Sequence, residues 1–148
     1  MAPLIVMLVA WAVAVLIVGP TSWIQALRFA LAAMFTFTAI SHFHPRTRPD
    51  LIRMVPPNLP SPAFLVTATG VLELAGAIGL VVPQTAAAAA YALAALLVAL
   101  FPANVRAARA GLTIAGKRAT PLIWRLPLQL FWIAALLWVA MDVSRDRA

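Results

Sequence analysis

Five apolar stretches, roughly 2–19, 22–43, 62–82, 84–102 and 121–141, occupy most of this 148-residue chain. A bilayer's hydrocarbon core is about 30 Å thick and takes about 20 apolar residues to cross as a helix. Backbone polar groups inside it must be satisfied within the segment, so these stretches are read as helices. With 64% hydrophobic and 10% charged residues, too little polar surface remains for a soluble domain of this size. The expected fold class is therefore all-α: an integral membrane helical bundle, one domain over residues 1–148. The first stretch lacks a basic leader, carries Trp11 at its middle and ends at Gly19-Pro20. It reads as a retained helix rather than a secretory signal.

The formal charge of +7 would suggest nucleic acid in a soluble protein. Here the basic residues sit between spans, where they meet lipid headgroups, so no nucleic-acid partner is expected. Arg46, Arg48 and Arg53 lie in one connection, and Arg106, Arg109, Lys117 and Arg118 in another. Both connections follow even-numbered spans and share a side, which the positive-inside rule makes cytoplasmic. The N-terminus is then inside, and the charge-balanced tail DVSRDRA outside. The chain has no cysteine, which removes disulfides, thiol redox chemistry and cysteine-held metals.

Between spans two and three, Leu51, Ile52, Met54 and Val55 make the connection too apolar for a plain linker. A short surface helix capped by Asp50 is expected there. Pro102 lies within an otherwise helical run, so span four is expected to kink or break and to continue as an amphipathic extension towards Gly111. The alanine run 86–90 offers small packing surface and no chemistry.

Glu73 is the residue that most needs a reason. It falls about 16 Å from the inner end of span three at 1.5 Å per residue, where a charge is costly and faces the bundle interior with a partner. Gly70, Gly76 and Ala77 share its face and would let another helix approach closely. With helix ends set flush, Arg28 in the antiparallel second span comes within about 5 Å of the same height. An Arg28–Glu73 ion pair is therefore expected. Gln25, Arg28, Phe35, Ala39 and His42 lie on one face of that span, and Gln129, about 12 Å up span five, can join from a third helix.

This cluster reads in two ways: as a register-fixing pair with amide hydrogen bonds, or as a ligand pocket or proton-linked site. His42 and His44 end span two. They read as interfacial histidines, with His42 alternatively donating to a quinone carbonyl at the bundle mouth. Histidines confined to one end of one span do not form a haem clamp, and no metal site is expected. Asn104 can satisfy carbonyls freed by Pro102 or point into the pocket with His42. The stretch AGKRAT lacks the glycine pattern and strand of a phosphate loop. No serine–histidine–acid set exists, and no catalytic residue is assigned.

From Leu27 to Trp132 the residues Arg28, His42-Phe43, Val55-Pro56, Leu59-Pro60, Gly70, Glu73 with the LAGAIGL run, Phe101-Pro102-Ala103-Asn104, Arg125, Pro127 and Gln129 follow an order that resembles the DoxX family of small bacterial membrane proteins. The resemblance implies a four-helix core made by spans two to five, with span one as an N-terminal addition. It also implies a bacterial plasma-membrane location and a link to quinone-coupled or oxidative-stress complexes.

Two functions follow. The favoured one is a non-catalytic membrane subunit or anchor whose basic inner face docks a soluble or membrane redox partner. Quinone or lipid would be held near Arg28, His42, Glu73, Asn104 and Gln129. The alternative is a membrane enzyme or small-molecule transporter in which Glu73 exchanges protons or substrate. No resident cofactor is expected beyond that quinone, and a homo-oligomer is compatible with either.

Overall fold

In the computed structural model, which describes residues 2–19 and 23–145, the chain is an all-α bundle. Helix α1 spans Ala2–Val18, α2 Trp23–Phe43, α3 Arg48–Met54, α4 Pro62–Val81, α5 Ala86–Arg109 and α6 Leu122–Arg145. Helices α2, α4, α5 and α6 are long and apolar enough to cross a membrane. Helix α1 is apolar but has only 17 residues, about 26 Å at the usual rise. The Gly19-Pro20 turn and the charge balance of the tail involve residues 20–22 and 146–148, which lie outside the described residues.

Helix α2 packs chiefly on α4 and α1, α4 on α5, and α5 on α6, while a slighter α2–α6 contact closes the ring. The core is built of Leu31, Met34, Phe35, Leu80, Leu93, Leu136 and Val139 with intervening alanines. Outward, Leu16, Phe64, Ile78, Ile123 and Trp138 are exposed, as suits a surface solvated by acyl chains. Lipid tails are as apolar as leucine, so helices associate here through close packing. The α4–α5 contact shows this: a Cβ on Gly76 would stand 2.5 Å from Leu93 Cδ2. The alanine run supplies Ala86, Ala89 and Ala90 to the same buried seam.

Two expectations need correction. Asp50 does not cap α3. The helix begins three residues earlier, behind Thr47 and with proline in its first turn, so Asp50 sits inside that turn with its carboxylate free to reach elsewhere. Helix α5 does not break at Pro102 but runs through it to Arg109. It ends where Gly111 takes φ +60° and Leu112 N–H donates to the Ala107 carbonyl, the six-to-one bond of a Schellman stop. The following connection is no plain loop either. Strands β1 (Thr113–Ile114) and β2 (Lys117–Arg118) form a two-residue hairpin. Its turn residues Ala115 and Gly116 both have positive φ, 50° and 79°, the type I′ geometry that matches strand twist.

The hairpin is pinned to α3. Asp50 Oδ2 accepts the Ala115 N–H at 2.8 Å, Asp50 Oδ1 pairs with Arg53, and Arg106 Nε donates to the Arg53 carbonyl at 3.2 Å. The Ala115 amide and the Arg53 guanidinium hold the Asp50 carboxyl below its ordinary pKa. The two basic connections thus meet at one end of the bundle. At the opposite end, Trp23 and Trp138 stack edge to face at 5.2 Å, an arrangement suited to a membrane interface.

Candidate functional site

Helix α4 carries Thr69 and Glu73 on the face turned to His42 of α2. A Cβ on Gly70 would stand 2.7 Å from His42 Cβ, so Gly70 brings the two backbones together at the last turn of α2. One turn deeper, Glu73 reaches His42: Nε2 and Oε2 are 3.6 Å apart, longer than a hydrogen bond. His42 Nδ1 lies 2.8 Å from the Val66 carbonyl, which fixes the ring. Thr69 Oγ1 stands 3.2 Å from the same nitrogen and donates to the Leu65 carbonyl at 2.9 Å. Both members of the pair are buried, at 8% exposure for His42 and 5% for Glu73.

The Arg28–Glu73 pair does not form. Gly70 is level with His42, which places Glu73 near the height of Ala39, eleven residues or about 16 Å below Arg28 along α2. The helix ends are not flush. Pro62 lies eight residues before Gly70, so α4 projects about 12 Å past the level of His42. Arg48 holds this stagger. Its Nη1 donates to the His42 carbonyl at 3.0 Å, and its Nη2 to the Ala63 carbonyl at 3.2 Å and Thr67 Oγ1 at 2.8 Å. Arg28 is itself buried, with its guanidinium carbon 5.5 Å from the Phe29 ring centre.

Helices α5 and α6 carry a second polar group. Gln129 Nε2 donates to the Leu97 carbonyl at 2.7 Å, and Asn104 Nδ2 donates to Gln129 Oε1 at 3.3 Å. Arg125 Nη1 donates to Asn104 Oδ1 at 2.5 Å. Asn104 therefore bonds the two α6 side chains, Gln129 and Arg125, rather than a backbone carbonyl. Since Gly76 packs on Leu93, Glu73 and Leu97 lie within about 2 Å of one depth. Among the described residues, Glu73 Oε2, Arg125 Nε and Trp132 Nε1 are buried without a hydrogen-bond partner.

Of the five candidate residues, then, the structure joins His42 with Glu73 and Asn104 with Gln129, and sets Arg28 apart. His44 does not share the site. It is exposed, and its Nδ1 accepts the Arg46 N–H at 3.2 Å. Sequence reasoning missed Arg48, Thr69 and Arg125. Thr69 was findable, since it lies four residues before Glu73 on the same face. The arrangement sets an imidazole against a carboxylate and leaves one acceptor, Glu73 Oε2, and two donors, Arg125 Nε and Trp132 Nε1, without hydrogen-bond partners. No group of three or more histidine, aspartate or glutamate residues that could hold a metal occurs among the described residues.

Residues 31–140 match the model of a family described as a domain of unknown function (DUF8561), and the chain belongs to that family. No curated protein and no solved structure matches it.

Proposed function

We propose that this member of the family is a multi-pass protein of a bacterial plasma membrane, with its N-terminus cytoplasmic and its C-terminus outside. It serves as a non-catalytic, DoxX-like subunit or anchor of a quinone-linked redox or stress complex. It holds a quinone or lipid head group beside Glu73 and presents its basic inner face to a redox partner. The observation that carries this reading is the buried Glu73 carboxylate, which has one oxygen lacking a hydrogen-bond partner and lies against His42. Ionisable groups at membrane depth are expensive and are kept where they act on a ligand or ion. Trp132 Nε1 is an unmet donor one helical turn beyond Gln129, suited to a carbonyl oxygen of the same head group. Arg53, Arg109, Lys117 and Arg118 are exposed around the hairpin and favour an acidic partner or headgroup.

The test is photolabelling of the full chain in lipid nanodiscs with an azido-quinone, followed by peptide mapping. Label concentrated on the end of α2 and the middle of α4, and competed by unlabelled quinone, supports the reading. Label spread evenly over the outward apolar faces refutes it. The His42–Glu73 contact also favours a second reading, in which the bundle is a membrane enzyme or transporter that uses Glu73 in proton exchange. Proton flux in sealed liposomes that is lost in Glu73→Gln would select it.

A further inference from the structure

The hydrogen-bond partners of His42 fix a proton count. Nδ1 lies 2.8 Å from the Val66 carbonyl oxygen, which can only accept, so Nδ1 carries a hydrogen in either charge state. The other ring nitrogen, Nε2, faces Glu73 Oε2 at 3.6 Å. With no proton between them, a nitrogen lone pair would face a full carboxylate charge at a site under a tenth exposed. With two, an imidazolium would be buried against a neutral acid, again with an uncompensated charge. With one, the pair is neutral overall.

Among the described residues, the surrounding helices bring no second carboxylate to the pair, and apart from the unmet Arg125 Nε and Trp132 Nε1 their polar groups are engaged elsewhere. From α3, the Arg48 guanidinium is taken up by the His42 and Ala63 carbonyls and Thr67 Oγ1. From α4, Thr69 donates to the Leu65 carbonyl. From α5 and α6, Asn104, Arg125 and Gln129 are bonded to one another and to the Leu97 carbonyl. Asp50 is occupied at the hairpin.

We infer that His42 and Glu73 form a proton-binding site in the interior of the bundle that carries one proton, on Nε2 or on Oε2, and exchanges it when the 3.6 Å gap between them closes to hydrogen-bond length. His42 is the next-to-last residue of α2, so its end of the site lies at the mouth of the bundle. Glu73 lies one helical turn deeper than Gly70, the residue that meets His42. In the transfer, the N–H bond at Nε2 breaks as the O–H bond at Oε2 forms. Imidazolium–carboxylate becomes imidazole–carboxylic acid, and the pair stays neutral throughout. The inference deepens the reading of the Glu73 site but does not depend on a bound head group, since the proton is counted in the ligand-free protein.

The experiment is a pH titration of the purified full chain in nanodiscs without added quinone. Nitrogen-15 spectra follow His42 and infrared difference spectra follow the protonated-carboxyl stretch, in water and in heavy water. The expected result is an Nδ1 that stays protonated, and His42 and carboxyl signals that change together at a shared midpoint with one proton released per chain. In Glu73→Gln the side-chain amide can donate to Nε2. The carboxyl signal then disappears and the His42 midpoint moves, while helix content stays unchanged. Separate midpoints for the two signals in the wild-type protein overturn the inference, whether or not the variant folds. A His42 midpoint unmoved in folded Glu73→Gln also overturns it. A shared midpoint together with failed photolabelling sinks the quinone reading alone.

Discussion

Gly70→Ala puts the close approach of α2 and α4 under load. The added Cβ would stand 2.7 Å from His42 Cβ, 2.9 Å from Phe43 Cε2 and 3.1 Å from His42 Cγ. The first of these neighbours is fixed to the α2 backbone, so no rotamer change relieves it. Ordinary carbon contact near 3.5–4.0 Å requires α2 and α4 to separate locally by about 1 Å. Overpacking of this kind costs about 1–3 kcal/mol. The same movement stretches the 2.8 Å bond from His42 to the Val66 carbonyl beyond useful length, at a further cost of about 1–3 kcal/mol for a buried group left unpaired. Alanine's helix propensity returns about 1 kcal/mol. The expected net loss is therefore about 1–5 kcal/mol. It is to be read from unfolding of the wild-type and variant chains in mixed detergent micelles, with helix content followed by circular dichroism. The nitrogen-15 signal of His42 Nδ1 should shift in parallel. A Gly70→Ala protein as stable as the wild type, with that signal unmoved, refutes the claim that backbone proximity at Gly70 sets the geometry of the site.

Three other outcomes follow from the structure. Gln129→Leu, which loses its bonds to the Leu97 carbonyl and Asn104, should cost about 0.6–2 kcal/mol in the same unfolding assay, the range for polar contacts between membrane helices. The Asp50 carboxyl has a folded pKa below its unfolded value, so its contribution is present above about pH 4 and is lost as pH falls through the lower folded value. The protection of the Ala115 amide against hydrogen exchange, taken relative to the intrinsic rate at each pH, should therefore fall in acid, and Asp50→Ala should show the low protection already at neutral pH. Ala115→Gly removes the cost of a side chain at φ 50°, about 1 kcal/mol. It should slow hairpin opening severalfold by the same exchange measurement, whereas Ala115→Val should speed it.

The spans were legible because twenty consecutive apolar residues have few other outcomes, and α2, α4, α5 and α6 lie where hydropathy put them. The demand of Glu73 for a partner was legible for the same reason, but the identity of that partner was not. Helix ends read from a sequence carry no information on relative height. Here the height is set by Arg48, a connection residue whose three acceptors come from two helices. Helical spacing correctly put Arg28 and His42 on one face, but the stagger decided which of them Glu73 would meet. The hairpin escaped notice because two-residue strands show no alternation, and because alanine stands at the first turn position, where asparagine or aspartate would have signalled type I′. The polar ladder through Asn104, Gln129 and Arg125 was half visible. Asn104 and Gln129 were suspect but Arg125 was not, and which of them would reach the Leu97 carbonyl depended on the α5–α6 register.

The Asp50 bridge to the hairpin also means that the bundle is fastened by different chemistry at its two ends. One end is stitched by charge, through Asp50, Arg53, Arg106 and the Ala115 amide. The other is clasped by the aromatic pair Trp23 and Trp138. Salt screens exposed charges and acid neutralises carboxylates, whereas neither disturbs a stacked pair of indoles. Ionic conditions on the stitched side therefore loosen that side while the far end keeps its grip, and the loosening begins beside the mouth where His42 sits.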